Sequence, residues 1–141
     1  MTDPRPSWDD YYLAIARAVA TRADCTRRRV GALVVQGDRI VSTGYNGAPP
    51  GRPGCLSAGA CPRGRLTAEQ LAPGSSYDTG PGACIAVHAE ANALLRAAWA
   101  DLHGATLYVT EQPCDGCARL IEGAPIGRVV FPLHTSAPVG A

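Results

Sequence analysis

Apolar residues near the start of the chain recur at a spacing that suits a helix. Trp8, Tyr12, Ile15 and Val19 follow one another at steps of 4, 3 and 4, one stripe of an amphipathic helix running to about Ala23. Ser7 is placed to cap it, with Asp9 and Asp10 in the first turn, where negative charge suits the dipole. Arg29 to Gln36 is apolar and β-branched, a buried strand. Gly37-Asp38 is a turn signal and Arg39 to Thr43 a second strand, so the pair predicts a hairpin. Tyr45-Asn46-Gly47 then breaks the pattern. Ala48 to Gly82 is rich in Pro, Gly and Ser, with a short helix predicted at Thr67 to Leu71. A connection of this length inside a compact domain is usually functional or tied down.

The second half alternates. His88 to Ala100 predicts a helix with Ala89, Asn92, Leu95 and Trp99 on one stripe, ended by His103-Gly104. Ala105 to Thr110 reads as a strand, Cys114 to Glu122 as a helix and Arg128 to Phe131 as a short strand. The order α-β-β-α-β-α-β predicts an α/β protein. Its crossovers make a mainly parallel region joined to an antiparallel hairpin, with helices on both faces. The expectation is one domain over residues 1–141, with residues 1–6 and 133–141 as loose tails and no internal repeat.

Charge and composition narrow the partners. The net charge is +1 and all thirteen basic residues are arginine. No large basic field is present, so DNA or RNA is not indicated as a partner. Arg27, Arg28 and Arg29 are the one local basic cluster, either a solvated loop or a seat for a single phosphate, which the planar guanidinium suits. No apolar run approaches membrane-spanning length, and the polar, acidic start is unlike a signal peptide. The expected compartment is the cytoplasm, where thiols stay reduced, so the six cysteines read as metal ligands sooner than disulfides.

Two of the helix starts carry chemistry. His88-Ala89-Glu90 opens one and Pro113-Cys114-Asp115-Gly116-Cys117 the other. Alone, the first reads as a surface pair and the second as a redox pair or half a zinc knuckle. Together they offer one imidazole and two thiolates, three ligands for a tetrahedral Zn²⁺ with the fourth position open to water. An ion so held makes water a usable nucleophile near neutral pH. Cys114 and Cys117 stand at an i, i+3 step that points both sulfurs to one side of a helical turn. Glu90, two residues from His88, is placed to take the water's proton and pass it on.

The pairing of H-x-E with P-C-x-x-C resembles the signature of zinc-dependent nucleobase deaminases. Within that superfamily the chain is similar to the deoxycytidylate (dCMP) deaminase branch. The likeness rests on Cys25-Thr26-Arg27-Arg28-Arg29-Val30-Gly31-Ala32, on Val41 to Pro49 (VSTGYNGAP), on Cys84 to Ala93 (CIAVHAEANA), and on Leu107 to Thr110 with Pro113-Cys114. It covers about Trp8 to Phe131. The resemblance implies a three-layer α/β/α, cytidine deaminase-like fold with a central mixed sheet. It implies His88, Cys114 and Cys117 as zinc ligands, and Glu90 as the proton shuttle that also hydrogen-bonds ring N3. Arg27, Asn46 and Ala89 would be substrate contacts, Asn46 at the sugar and Arg27 at the 5′-phosphate. For Asn46 the competing role is an Asn-Gly turn, and for Arg27 a surface arginine. The resemblance further implies a homo-oligomer, with dCTP and dTTP as effectors in some members.

Four cysteines remain: Cys25, Cys55, Cys61 and Cys84. Relatives carry a second, structural zinc near such positions, and four ligands is the number a closed site needs. Buried inert thiols are the alternative, and disulfides a weaker third. The chain departs from the family where a tyrosine-bearing segment usually closes over the ring. Here Val129-Val130-Phe131 runs into Pro132-Leu133-His134-Thr135 without one, leaving Phe131 or His134 as stand-ins. CMP, a modified cytosine nucleotide, a nucleoside or a tRNA base are the alternative substrates. A non-catalytic zinc module is the alternative of another class, although it would have no use for Glu90.

Overall fold

The computed structural model describes residues 3–57, 66–67, 69–71 and 83–132. Four helices and four strands follow in the order α1 (Trp8–Ala20), β1 (Gly31–Gln36), β2 (Arg39–Tyr45), α2 (Ala89–Arg96), α3 (Trp99–Leu102), β3 (Thr106–Val109), α4 (Asp115–Gly123) and β4 (Arg128–Val130). Of the short helix expected at Thr67 to Leu71, Ala68 lies outside the described residues; Leu71 N–H donates to Thr67 O at 3.0 Å. None of the described helices is long and apolar enough to cross a membrane.

The strands lie in the order β2-β1-β3-β4. β1 pairs antiparallel with both β2 and β3, and β3 pairs parallel with β4. The expected mainly parallel region is therefore one ladder among the described residues. The physical reason is that β1 inserts between β2 and β3. The crossovers still point β2, β3 and β4 the same way, so their carboxyl ends share one edge of the sheet with the start of β1. Gly37, at φ +63°, makes the β1–β2 turn in a conformation that favours glycine.

Both faces are covered, as the three-layer expectation requires. Leu33, Val35 and Tyr108 meet Tyr12, Leu13 and Ala16 of α1 on one face. On the other, Ala32, Val34, Leu107 and Val109 meet Ala89 and Ala93 of α2, Leu102 of α3 and Ile121 of α4. Two glycines set how closely the helices sit. A Cβ on Gly31 would fall 2.0 Å from Ala16 O, and one on Gly44 would fall 2.3 Å from Ala89 O and 2.4 Å from Ala93 N. Ser42, two residues before Gly44 on the same face of β2, donates to Ala93 O at 2.8 Å.

This intimacy corrects two expected stripes. α1 buries Tyr12, Leu13, Ala16 and Ala20 while Trp8 is 67% exposed. α2 buries Ala89, Glu90 and Ala93, while Leu95 and Trp99 are 76% and 61% exposed. Small residues face the glycines because larger ones do not fit there; Tyr12 and Leu13 bury beside Ala16, while Trp8, Leu95 and Trp99 lie outside. The helix expected from His88 to Ala100 also breaks, Ala97 and Ala98 being extended between α2 and α3.

At the far end of the sheet Asp9 braces α1 against two strands. Arg128 donates to Asp9 through both terminal nitrogens, and the Tyr108 hydroxyl donates to Asp9 Oδ1 at 2.7 Å. The Arg128 hydrogen bond is the main reason the Asp9 carboxyl titrates below its ordinary value. Burial, then the Asp9 hydrogen bond, raises Tyr108 to about 12.

Gly44→Ala is expected to cost about 3 kcal/mol in urea unfolding, because backbone must move to admit the methyl. Gly123→Ala, with nothing within 4 Å of the new Cβ, should be near neutral. An acid titration of stability tests the Asp9 brace. A lowered folded pKa gives stability that is present above the unfolded value of about 3.9 and fades as pH falls through the folded one. The advantage of the parent over Asp9→Asn should thus shrink below about pH 4. It should stay under about 1 kcal/mol at neutral pH, since the pair is partly solvated.

Candidate active site

The carboxyl ends of β2 and β3 and the first residue of β1 meet at one edge, the usual location of sites in open α/β sheets. Thr110 N–H donates to Gly31 O at 3.0 Å, and Gly31 N–H donates to Thr110 Oγ1 at 3.2 Å. This clamps the chain leaving β3, which runs through Pro113 to Cys114. Beyond β2, Gly47 and Val87 exchange backbone hydrogen bonds of 3.1 and 2.7 Å. That bridge delivers His88.

His88 and Cys114 are the N-caps of α2 and α4, both extended, and neither side chain caps its own helix. The two side chains turn toward each other instead. His88 Nδ1 lies 3.4 Å from Cys114 Sγ and 3.4 Å from Cys117 Sγ. All three donor atoms lie within 4.8 Å of one another, and this is the one such group among the described residues that could hold a metal ion. With Zn–N of about 2.0–2.1 Å and Zn–S of about 2.3 Å, a tetrahedral N···S edge is about 3.6 Å. The spacing fits that ion, and both helix N-termini favour thiolate charge beside them.

Electrostatics point the same way. Burial pushes the Cys117 thiol well up, and the adjacent Glu90 carboxylate and Cys114 push it further. A buried thiol beside a carboxylate favours a cation between them, which would reverse that shift. Glu90 is 5% exposed in the first turn of α2. The structure thus brings together His88, Cys114, Cys117 and Glu90.

The expected substrate residues are placed less uniformly. Ala89 is fully buried, with its side chain in the core, so only its backbone faces the helix start. Arg27 is exposed on the loop before β1, beside an open depression of about 450 Å³ lined by Cys25, Thr26, Arg27, Arg28, Arg29 and Leu56. Asn46 is 7% exposed and grips that same loop. Its Oδ1 accepts from Val30 N–H at 2.8 Å and its Nδ2 donates to Arg28 O at 2.9 Å. One N–H and one lone pair of the amide are left over.

Among the extra cysteines, Cys25, Cys55 and Cys84 do not gather into a metal-binding group, and Cys61 lies outside the described residues. Phe131 is 3% exposed within the core, which removes it as a cover for a substrate ring, and His134 lies outside the described residues. Three contributors were not anticipated. Asn92 binds Tyr45 O and Val87 O, Glu111 pairs with Arg28, and Asp24 holds Ser57 through its N–H and hydroxyl at 2.8 and 2.6 Å. The Ser57 hydroxyl is the main cause of the lowered Asp24 titration. A polar Asn on an otherwise apolar stripe was the signal for the first; charge pattern marked neither of the others.

Relatives agree with this geometry. The chain is 54% identical to the deoxycytidylate deaminase of Mycobacterium phage D29 over 91% of its own length and 96% of that protein. It is 41% identical to the deoxycytidylate deaminase of Schizosaccharomyces pombe over 94% of its length, spanning 38% of that longer chain. A crystal structure of dCMP deaminase from the cyanophage S-TIM5 in complex with dCMP and dUMP superposes with a TM-score of 0.64 at 27% identity, covering 92% of this chain and 83% of that one. The profile described as the cytidine and deoxycytidylate deaminase zinc-binding region matches residues 6–133, and the chain belongs to that deaminase family.

Proposed function

We propose that the chain hydrolyses dCMP to dUMP and ammonia. The observation that carries this is the His88–Cys114–Cys117 donor triangle with the buried Glu90 carboxylate against it, in a chain similar to named deoxycytidylate deaminases. His88 Nδ1 and the two sulfurs would hold Zn²⁺. When bound, the ion supplies the Lewis acidity that makes water nucleophilic near neutral pH.

The remaining chemistry belongs to the protein. Glu90 accepts a proton from water as the water oxygen bonds to C4, and delivers it to ring N3. It then carries the second proton to the amino group. The C4–N4 bond breaks, ammonia leaves, and the C4 carbonyl of uracil remains. Burial of Glu90 keeps competing water from its carboxylate. Arg27 would hold the 5′-phosphate as a planar fork, the spare amide atoms of Asn46 would meet the sugar, and Ala89 would contribute its helix-start N–H.

A second, structural zinc on Cys25, Cys55, Cys61 and Cys84 belongs to the same reading. Its support is the number of donors, four sulfurs being what a closed tetrahedral site takes, and Cys25 Sγ accepts from Arg27 N–H at 3.3 Å and Arg28 N–H at 3.4 Å. We further read residues 1–141 as one deaminase domain, acting as a homo-oligomer in the cytoplasm. The exposed apolar side chains Trp8, Leu95, Trp99 and Leu120 support assembly. Regulation by dCTP and dTTP rests on the family resemblance.

Glu90→Gln should keep its zinc, counted by atomic emission, and lose about a thousandfold in ammonia release from dCMP. Loss of metal in that variant would contradict the proton-transfer role. Cys117→Ala should lose both the catalytic zinc and the activity. For the second site, the parent should carry two zinc ions per chain and Cys25→Ser one. A parent stoichiometry of one would refute it.

A further inference from the structure

Asn92 occupies a junction that the chemistry above does not use. It lies one helical turn beyond His88, its backbone N–H donating to His88 O at 2.9 Å. Its side-chain nitrogen donates to Tyr45 O at 2.8 Å and to Val87 O at 3.3 Å. Tyr45 O belongs to the peptide that leads into Asn46. Val87 O belongs to the peptide that leads into His88. One amide group therefore pins the entry to the metal-binding helix and the entry to the loop that carries Asn46.

The two pinned peptides are not equally supported without it. Val87 O also accepts from Gly47 N–H at 3.1 Å, and Val87 N–H donates to Gly47 O at 2.7 Å. The His88 side thus keeps its bridge when Asn92 is changed. Tyr45 closes the ladder opposite Gly31, the last register pair of β1 and β2, and beyond it the strand ends. On its far side Asn46 is held by Asp24 N–H, which donates to Asn46 O at 2.9 Å, so Asn92 is the side-chain contact that holds the near side, at Tyr45 O. Asn46 in turn spends two of its polar contacts on the Arg28–Val30 backbone. Those two contacts orient the amide on the arginine loop, and Asn92 sets where its remaining valences stand relative to α2.

We propose that Asn92 is a positioning residue that sets substrate selectivity through Asn46, by fixing the Tyr45–Asn46 peptide relative to the helix bearing His88 and Glu90. This rests on the dCMP reading, in which Asn46 meets the sugar hydroxyl. Asn92 touches no reacting atom. Removing its donors loosens the sugar contact and leaves the metal donors and Glu90 in place.

The test compares dCMP with 2′,3′-dideoxycytidine 5′-monophosphate, which lacks the sugar hydroxyl. The parent, Asn92→Ser and the isosteric Asn92→Asp are assayed as zinc-loaded full chains, with metal content and thermal midpoint recorded. The parent should favour dCMP in kcat/KM. In the variants kcat/KM for dCMP should fall about tenfold, the size of one or two lost hydrogen bonds, and mostly through KM. The dideoxy nucleotide should be little affected, so the preference collapses while zinc stays bound. An equal fall for both nucleotides, or none for either, overturns the proposal, as does a parent with no preference. Failure of both variants to fold with metal assigns Asn92 a structural role alone and also overturns it. A parent that deaminates neither nucleotide strikes the dCMP reading itself, and the parent arm shows this separately.

Discussion

At Gly44 the backbone of α2 lies against β2 with no room for a side chain, since a Cβ there would stand 2.3 Å from Ala89 O. This contact fixes the depth of α2 over the sheet. Its first turn carries the candidate ligand and the candidate proton carrier, so the same contact fixes His88 and Glu90. Ala89 and Ala93 are the residues that make it possible, and Ser42 locks it by donating to Ala93 O. On the opposite face Gly31 does the same for α1 against Ala16. Gly31 is also the residue that Thr110 clamps, so the strand that receives one helix anchors the loop leading to Cys114 and α4.

The site is therefore an outcome of chain ends meeting. Three strands point their carboxyl ends at one edge, and two helices begin there with His88 and Cys114 at their caps. Neither cap side chain serves its own helix, which frees both for a shared ion. The surrounding loops are held by side-chain amides and carboxylates. Asn46 grips the arginine loop, Asn92 joins the two helix-entry peptides, and Asp24 holds the turn that carries the buried Cys55. In each case a polar side chain satisfies backbone groups that a sheet or helix would otherwise satisfy.

Sequence patterning picked out His88, Cys114, Cys117 and Glu90, which the fold brings together, because they are rare residue types at fixed spacing on helix starts. It also located every strand and helix of the described residues to within a few positions, apart from the break at Ala97-Ala98. It misjudged some members of the helix stripes: Tyr12 and Ala89 are buried and Ile15 and Val19 pack against the core, but Trp8, Leu95 and Trp99 are exposed. Apolar bulk marks a core face when helices pack at ordinary distance. Here glycines draw α1 and α2 close, alanines fill the contact, and Leu95 and Trp99 are left outside. Strand direction was legible from the crossovers. The insertion of β1 between β2 and β3 was not, because local alternation carries no information on neighbour order. The grip of Asn46 on the arginine loop was hidden for a similar reason: its partners lie sixteen and eighteen residues away in the chain.

The central claim is that a single active edge reads a cytosine nucleotide bearing one phosphate and replaces its amino group with oxygen. Ammonia release from equal concentrations of dCMP, CMP, deoxycytidine, cytidine and dCTP tests it most directly. The account predicts turnover of dCMP well above the other four. Comparable turnover of the nucleosides would remove the arginine loop from substrate recognition, and release from none of the five by zinc-loaded protein would contradict the assignment of this reaction.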